Sequence, residues 1–171
     1  MKLWAKAGVI LDGVISFFAI LAGAVLIFMM LSVTLDVFMR YFLNQPIFWV
    51  VELNEYALLY ATFLGAPWVL AKDGHVKVEL VVDHLKPKPQ AMVGAVTSIL
   101  GAASCGVLVW FSAEATWTHY VRGVWDPGSL LEIPTAYVML IIPIGSFLLF
   151  VQFLRRSSRY FKKLRMSSNK E

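Results

Sequence analysis

The chain has 171 residues, of which 59% are hydrophobic, 14% are aromatic and only 15% are charged. Because soluble domains usually carry about 25% charged residues, this composition argues against a water-soluble globular domain. Long apolar runs without alternating polarity also exclude a membrane β-barrel, whose strands are about ten residues long. The single cysteine, Cys105, excludes an intramolecular disulfide and Cys-x-x-Cys redox chemistry. We therefore expect an all-α integral membrane protein.

Four apolar stretches predict four transmembrane helices, since crossing the hydrocarbon takes about 20 helical residues. The charge-free run of the second stretch, residues 56–71, is short, so its helix is expected to begin near residue 48 and to include Glu52 and Glu55. We expect one four-helix membrane domain over residues 1–171. Its first span is expected to be uncleaved, because a secretory signal core has only about 7–15 apolar residues. The predicted spans cover approximately residues 13–35, 48–71, 90–113 and 133–154.

The distribution of positive charge predicts the orientation of these spans. Thirteen of the 15 Lys and Arg residues lie in the N-terminal segment, the loop between the second and third spans, and the C-terminal tail. Because short positive loops stay in the cytoplasm, we expect both termini inside, in a bacterial or archaeal cytoplasmic membrane. The basic tail over residues 155–165 is expected to touch anionic lipid headgroups. Nucleic-acid binding is the weaker alternative, because the topology already accounts for these charges.

The connection over residues 75–85 is expected to form an amphipathic helix on the cytoplasmic membrane surface. An alternating apolar pattern over residues 76–82 also fits a strand, but a lone strand there would have no pairing partner. His75, Glu79 and Asp83 share the polar side of the helix. They have metal-ligand side chains, but a wet surface explains them equally well, and we expect no metal site. The apolar positions at helical spacing are Val78, Val81, Val82 and Leu85.

Small residues recur four apart along the third span, and a shorter series in the second span includes Gly65. Such spacing lets two helix backbones approach closely in lipid, so we expect this face to pack against another helix. The competing interpretation is that membrane helices are generally rich in glycine and alanine. The series in the third span is Gly94, Ser98, Ala102 and Gly106.

Polar residues cluster where the first helix leaves the membrane and the second enters it. Arg40 follows the first span, and Trp49 and Glu52 open the second. Arg40 is expected either to pair with Glu52 across the turn or to snorkel into the headgroups. Trp49 occupies an interfacial position that favours an amphipathic ring.

The spans lack the residues that most membrane chemistry requires. No ionisable residue lies at mid-depth, no pair of interrupted half-helices is evident, and the three histidines are expected in loops. We expect no catalytic, metal or substrate site and no cofactor in this chain. An enzyme is the least expected class, and an accessory or scaffold subunit is the most expected. The alternative is a small self-sufficient secondary transporter that acts as a homodimer.

An ordered set of residues runs from the end of the first span towards the third. It comprises Arg40 after helix one, Trp49 and Glu52 at the start of helix two, Gly65 within it, Gly74 and His75 after it, and then Asp83. This set resembles the small membrane subunit of tripartite ATP-independent periplasmic (TRAP) transporters. Chain length, four spans and cytoplasmic termini match that family too, so the resemblance covers nearly the whole chain.

The resemblance implies a three-part system. A periplasmic binding protein would deliver an organic acid, of the C4-dicarboxylate or sialic acid class, to a large membrane subunit. That large subunit would hold the sodium ions and drive uptake, and the small subunit would pack beside it as a fixed scaffold. The residues of the ordered set and of the small-residue series would then be structural or partner-interface positions.

Overall fold

The computed structural model describes residues 2–72, 87–125, 129, 131 and 133–168. Within them, the only β-type contact is an isolated antiparallel bridge between Trp125 and Pro134. The all-α prediction is therefore confirmed over the described part of the chain. The predicted amphipathic connection over residues 75–85 lies outside it. The helices are α1 (Lys2–Phe42), α2 (Phe48–Ala71), α3 (Pro87–Arg122), α4 (Thr135–Met139) and α5 (Ile141–Ser168).

Three helical stretches of the described chain are long and apolar enough to cross a membrane: Gly8–Phe42, Pro89–Arg122 and Thr135–Lys162. The shorter α2 does not reach the same hydropathy, because polar residues occupy its first two turns. The count of four spans and the orientation of the termini therefore stay predictions.

Helix α2 has the bounds of its predicted span, whereas α1, α3 and α5 extend beyond theirs, since a charge-free run marks the apolar stretch and not the point where the backbone helix stops. His119, which was expected in a loop, therefore lies within α3. Helix α1 has 41 residues and α3 has 36. Asn44, just after α1, has a φ of 53°, and Gly123 ends α3 with a φ of 57°. Both types tolerate the left-handed region that stops a helix. At Gly123, the Val124 N–H donates to the His119 carbonyl at 3.2 Å, which closes a Schellman-type end.

The fourth predicted span is divided in the structure. Helix α4 ends at Met139, Leu140 intervenes, and α5 begins at Ile141. Pro143 lies in the first turn of α5 and has no N–H to donate to the Met139 carbonyl, so the hydrogen-bond ladder is interrupted there. The phenolic hydroxyl of Tyr60 in α2 donates to the Tyr137 carbonyl of α4 at 2.8 Å, which holds this short helix against the bundle.

Helix α2 packs between α1 and α5, and α5 packs along α3. A small core of Ala22, Leu64 and Ile141 joins α1, α2 and α5. A Cβ added at Gly145 of α5 would lie 2.6 Å from the carbonyl oxygen of Phe63 in α2, so these two backbones are in very close contact. This contact brings the two helical hairpins of the chain together.

The small-residue face of α3 packs against α5 of the same chain. Ser98 is 1% exposed and Ala102 is 5% exposed. The Tyr160 ring covers Gly94 and the Phe153 ring covers Gly101, each within 2.6 Å of where a Cβ would stand. Gly101, which the four-residue series does not include, is therefore part of this interface. At Gly106 the fit is looser, with the Phe150 ring 3.5 Å from a Cβ.

Candidate functional site at the ends of the helical bundle

Three polar side chains line up at the end of α1, at positions i, i+4 and i+8: Ser32, Asp36 and Arg40. Ser32 and Asp36 are buried, at 9% and 5% exposure. Buried polar groups require hydrogen-bond partners, and these residues find them in the chain that follows α1. We call Ser32, Asp36 and Arg40 of α1, together with Glu52 and Asn54 of α2, the hairpin cluster.

Asp36 uses one carboxylate oxygen within α1 and the other to hold the start of α2. Its Oδ1 accepts the N–H of Ile47 at 2.8 Å, and its Oδ2 accepts Nη2 of Arg40 at 2.7 Å. Ile47 immediately precedes α2 and has no capping side chain. Asp36 therefore supplies, from another helix, the negative charge that favours a helix N-terminus.

The structure pairs Arg40 with Asp36, and not with Glu52 as one of the two sequence interpretations proposed. Asp36 lies one turn earlier on the same helix, so Arg40 reaches it without crossing the turn. Glu52 instead accepts hydrogen bonds from the Tyr56 hydroxyl at 2.7 Å and from the Ser129 hydroxyl. Since Ser129 follows α3, Glu52 links the first hairpin to the second half of the chain.

A second buried link joins the same two helices. The amide nitrogen of Asn54 lies 3.1 Å from Ser32 Oγ and 2.6 Å from the Val50 carbonyl, and the Ser32 hydroxyl lies 3.0 Å from the Met29 carbonyl. The sequence analysis did not identify this pair, because Asn54 stands between Glu52 and Glu55 in a segment already marked as polar. Ser32 within the apolar first span was the available signal.

The remaining predicted positions lie apart from this cluster. Trp49 is on the exposed side of the first turn of α2. Gly65 lies mid-helix, where an added Cβ would stand 3.6 Å from that of Ala22, so it allows close contact with α1. The other three positions, Gly74, His75 and Asp83, lie outside the described residues.

An ion pair holds the opposite end of the bundle. Asp12 of α1 accepts from both terminal nitrogens of Arg155 in α5, at 2.6 and 3.2 Å. The buried Gln152 accepts a further bond from Arg155 at 3.3 Å. The sequence prediction treated Arg155 as a topology charge and as part of the basic tail. No local pattern connects it to Asp12, because the two are 143 positions apart.

The polar contacts at these two ends join parts of the helical bundle. Over the residues that the structure describes, no group of three or more His, Cys, Asp or Glu side chains could hold a metal ion. The contacts of Asp36 with Ile47, Asn54 with Ser32, and Glu52 with Ser129 connect separate segments of the chain. The Asp12–Arg155 pair does the same at the other end. What the arrangement provides is a fixed relation among α1, α2 and α5.

Comparison with known proteins gives the same class. Residues 29–163 match the DctQ component of tripartite ATP-independent periplasmic transporters. A TRAP transporter small permease protein of Haemophilus influenzae is 29% identical over 101 residues, which cover 59% of this chain and 60% of that protein. The ectoine TRAP transporter small permease protein TeaB of Halomonas elongata is 22% identical over 139 residues, covering 80% of this chain and 69% of that protein.

The family match takes in α2, α3 and α4 completely, together with the end of α1 and most of α5. It includes every described residue of the hairpin cluster. The resemblance drawn from the ordered residues is confirmed, and the class is a transporter component. The chain belongs to the DctQ family, the small membrane subunits of tripartite ATP-independent periplasmic transporters.

Proposed function

We propose that this chain is the fixed scaffold of a three-part importer, packed beside a large membrane subunit that holds the substrate and sodium sites. A periplasmic binding protein would deliver the substrate to that large subunit. The small chain would keep a single packing while its partner changes conformation. The family match supports the three-part assembly, and the polar groups of this chain support the division of labour.

The observation that carries the proposal is the state of the one buried ionisable side chain among the described residues, Asp36. A sodium site needs oxygen ligands that are available to the ion, and transporters place such sites near the middle of the membrane. Both oxygens of Asp36 are already bound, by the Ile47 N–H and by Arg40. This carboxylate therefore serves the fold of the hairpin, which favours a structural role over ion coupling.

The proposed substrate is an organic acid of the C4-dicarboxylate or sialic acid class. The Halomonas relative is named as part of an ectoine transporter. Ectoine, like the acids proposed here, carries a carboxylate. An anionic group common to these molecules suits recognition by the binding protein and the large subunit. The small chain would play the same structural role whichever of these substrates is transported.

The proposed arrangement has four spans and both termini inside, in the cytoplasmic membrane. At 1.5 Å per residue, the 24 residues of α2 extend about 36 Å, which exceeds the roughly 30 Å of hydrocarbon. Its polar Asn54 is bonded to Ser32 of α1 and is shielded from lipid. Packing between α1 and α5 therefore explains how a helix of modest hydropathy can cross.

Reconstitution tests the proposal. The chain would be purified alone and together with its large membrane subunit, inserted into vesicles, and supplied with the binding protein and a sodium gradient. We expect sodium-driven uptake of an organic acid only when the large subunit is present. Uptake by the small chain alone would support the self-sufficient homodimer instead.

A further inference from the structure

We propose that a cavity between α1, α2 and α5 binds the phosphate group of an anionic phospholipid. The cavity has a volume of about 400 Å³ and lies at the end of the bundle held by the Asp12–Arg155 pair. Nothing in the scaffold role requires such a site, and the proposal stands independently of it. The lining side chains that carry the proposal are Asp12, Trp68, Lys72, Gln152, Arg155 and Arg159.

The charges of the lining favour an anion. Three cationic side chains, Lys72, Arg155 and Arg159, face one carboxylate, that of Asp12, which leaves two positive charges in excess. Asp12 takes both terminal nitrogens of Arg155. Arg159 acts on the Asp12 carboxylate only at longer range, and over the described residues neither Lys72 nor Arg159 forms a direct ion pair. Phosphate oxygens accept strong charge-assisted hydrogen bonds from such groups, and basic pockets between membrane helices bind anionic headgroups.

The site is held in a defined geometry. Gln152, which is 2% exposed, and Asp12 fix the Arg155 guanidinium from two sides. The Lys72 ammonium lies 6.0 Å from the centre of the Trp68 ring. Attraction between the cation and the ring holds the ammonium near the membrane interface, where tryptophan is favoured. The cations that bind the anion therefore come from two helices, and their spacing depends on the folded bundle.

A phospholipid fits the surroundings of this cavity better than a free phosphate ion does. Part of the cavity lining is apolar surface that stays open, namely the Trp68 ring, which is 39% exposed and suits the membrane interface. Acyl chains attached to a bound phosphate would cover this surface, whereas inorganic phosphate would leave it bare. Burial of apolar area therefore adds to the electrostatic attraction for a phospholipid only.

Native mass spectrometry of the purified full chain can test the proposal. Phosphatidylglycerol and phosphatidylcholine with the same acyl chains would be titrated separately in detergent. We expect phosphatidylglycerol to bind at least about tenfold more tightly. Lys72→Gln and Arg159→Gln should each weaken its binding about fivefold, the effect of losing one basic residue near an anionic surface. The matched Lys162→Gln removes an exposed charge outside the cavity and should change binding less than twofold.

The outcomes separate this site from simpler explanations. Equal retention of the two lipids would overturn the proposal, as would an equal loss on Lys162→Gln, which would indicate diffuse attraction to the basic tail. Displacement of phosphatidylglycerol by an equal concentration of inorganic phosphate would identify a small-anion site instead. Lys72→Arg keeps the charge and should retain wild-type binding, so a loss caused by misfolding is distinguished from a loss of charge.

Discussion

Gly145 is the position where an added methyl group should do the most damage to this bundle. Its Cβ would lie 2.6 Å from the Phe63 carbonyl oxygen and 3.0 Å from the carbonyl carbon. Close C–H···O contacts in proteins have carbon–oxygen distances of about 3.3–3.6 Å, so the helices would have to separate by several tenths of an ångström. The obstacle is backbone, which cannot rotate away as a side chain can.

The same contact accounts for the proline in α2. Pro67 has no N–H to donate to the Phe63 carbonyl, which would be its partner one turn earlier. That carbonyl faces Gly145 of α5, so the helix surface left open by the proline is filled by the neighbouring backbone.

Gly145→Ala should therefore lower the free energy of unfolding through overpacking, which typically costs about 1–3 kcal/mol. Alanine is favoured over glycine in a helix by about 1 kcal/mol, which offsets part of that loss. Gly23→Ala is the matched control, because it gains the same propensity and its Cβ would meet nothing within 4 Å. The two variants should differ by about 1–3 kcal/mol in unfolding titrations in mixed detergent micelles. If Gly145→Ala is as stable as Gly23→Ala to within about 0.5 kcal/mol, the close contact between α2 and α5 is not present.

Four further predictions follow from other parts of the molecule. Asp36→Ala leaves the Ile47 N–H and Arg40 without their acceptor and should cost about 1–3 kcal/mol of stability; an unchanged unfolding curve would contradict the capping role. Ser98→Leu should destabilise the α3–α5 interface by about 1–3 kcal/mol, whereas Ser98→Ala should be tolerated, and equal stability of the two would place that face against lipid. With the native cysteine replaced, a cysteine at Asn44 should react with an impermeant maleimide from outside, and one at Lys86 only after lysis; the reverse would overturn the topology. In the reconstituted complex, Glu52→Gln should lower complex yield or uptake rate and leave substrate preference and sodium stoichiometry unchanged, and a change in the transported acid would contradict the scaffold role.

The helices were predictable from the sequence because apolar length is a local property. A run such as residues 90–113 needs no knowledge of its neighbours to indicate a membrane helix. The ends of the helices were harder to predict, since they depend on single residues such as Asn44 and Gly123 that adopt left-handed backbone conformations. The division of the fourth span near Leu140 was equally hard to predict, because the effect of Pro143 depends on where it lies in the first turn of α5.

The contacts between helices were predictable only in part. The spacing of Gly94, Ser98 and Ala102 indicates a face that permits close approach, but spacing carries no information about the partner, which the structure identifies as α5. The polar links were harder still. Asp36 and Arg40 share a helical face, whereas Asp12 and Arg155 are brought together only by the folded chain. An ion pair between residues so far apart in the chain leaves no periodic pattern in the sequence.

The division of contacts along the bundle bears on which subunit moves. Polar links occupy its two ends, through Asp36 at one and Asp12 with Arg155 at the other, while glycine contacts such as Gly145 with Phe63 hold the helices between them. A moving element needs two packings of similar energy, and close-packed interfaces are not continuously deformable. A backbone contact as close as that at Gly145 leaves little room for sliding between α2 and α5. Conformational change during transport is therefore easier to place in a partner subunit than within this bundle, which is the physical reason for proposing that this chain is the stationary part.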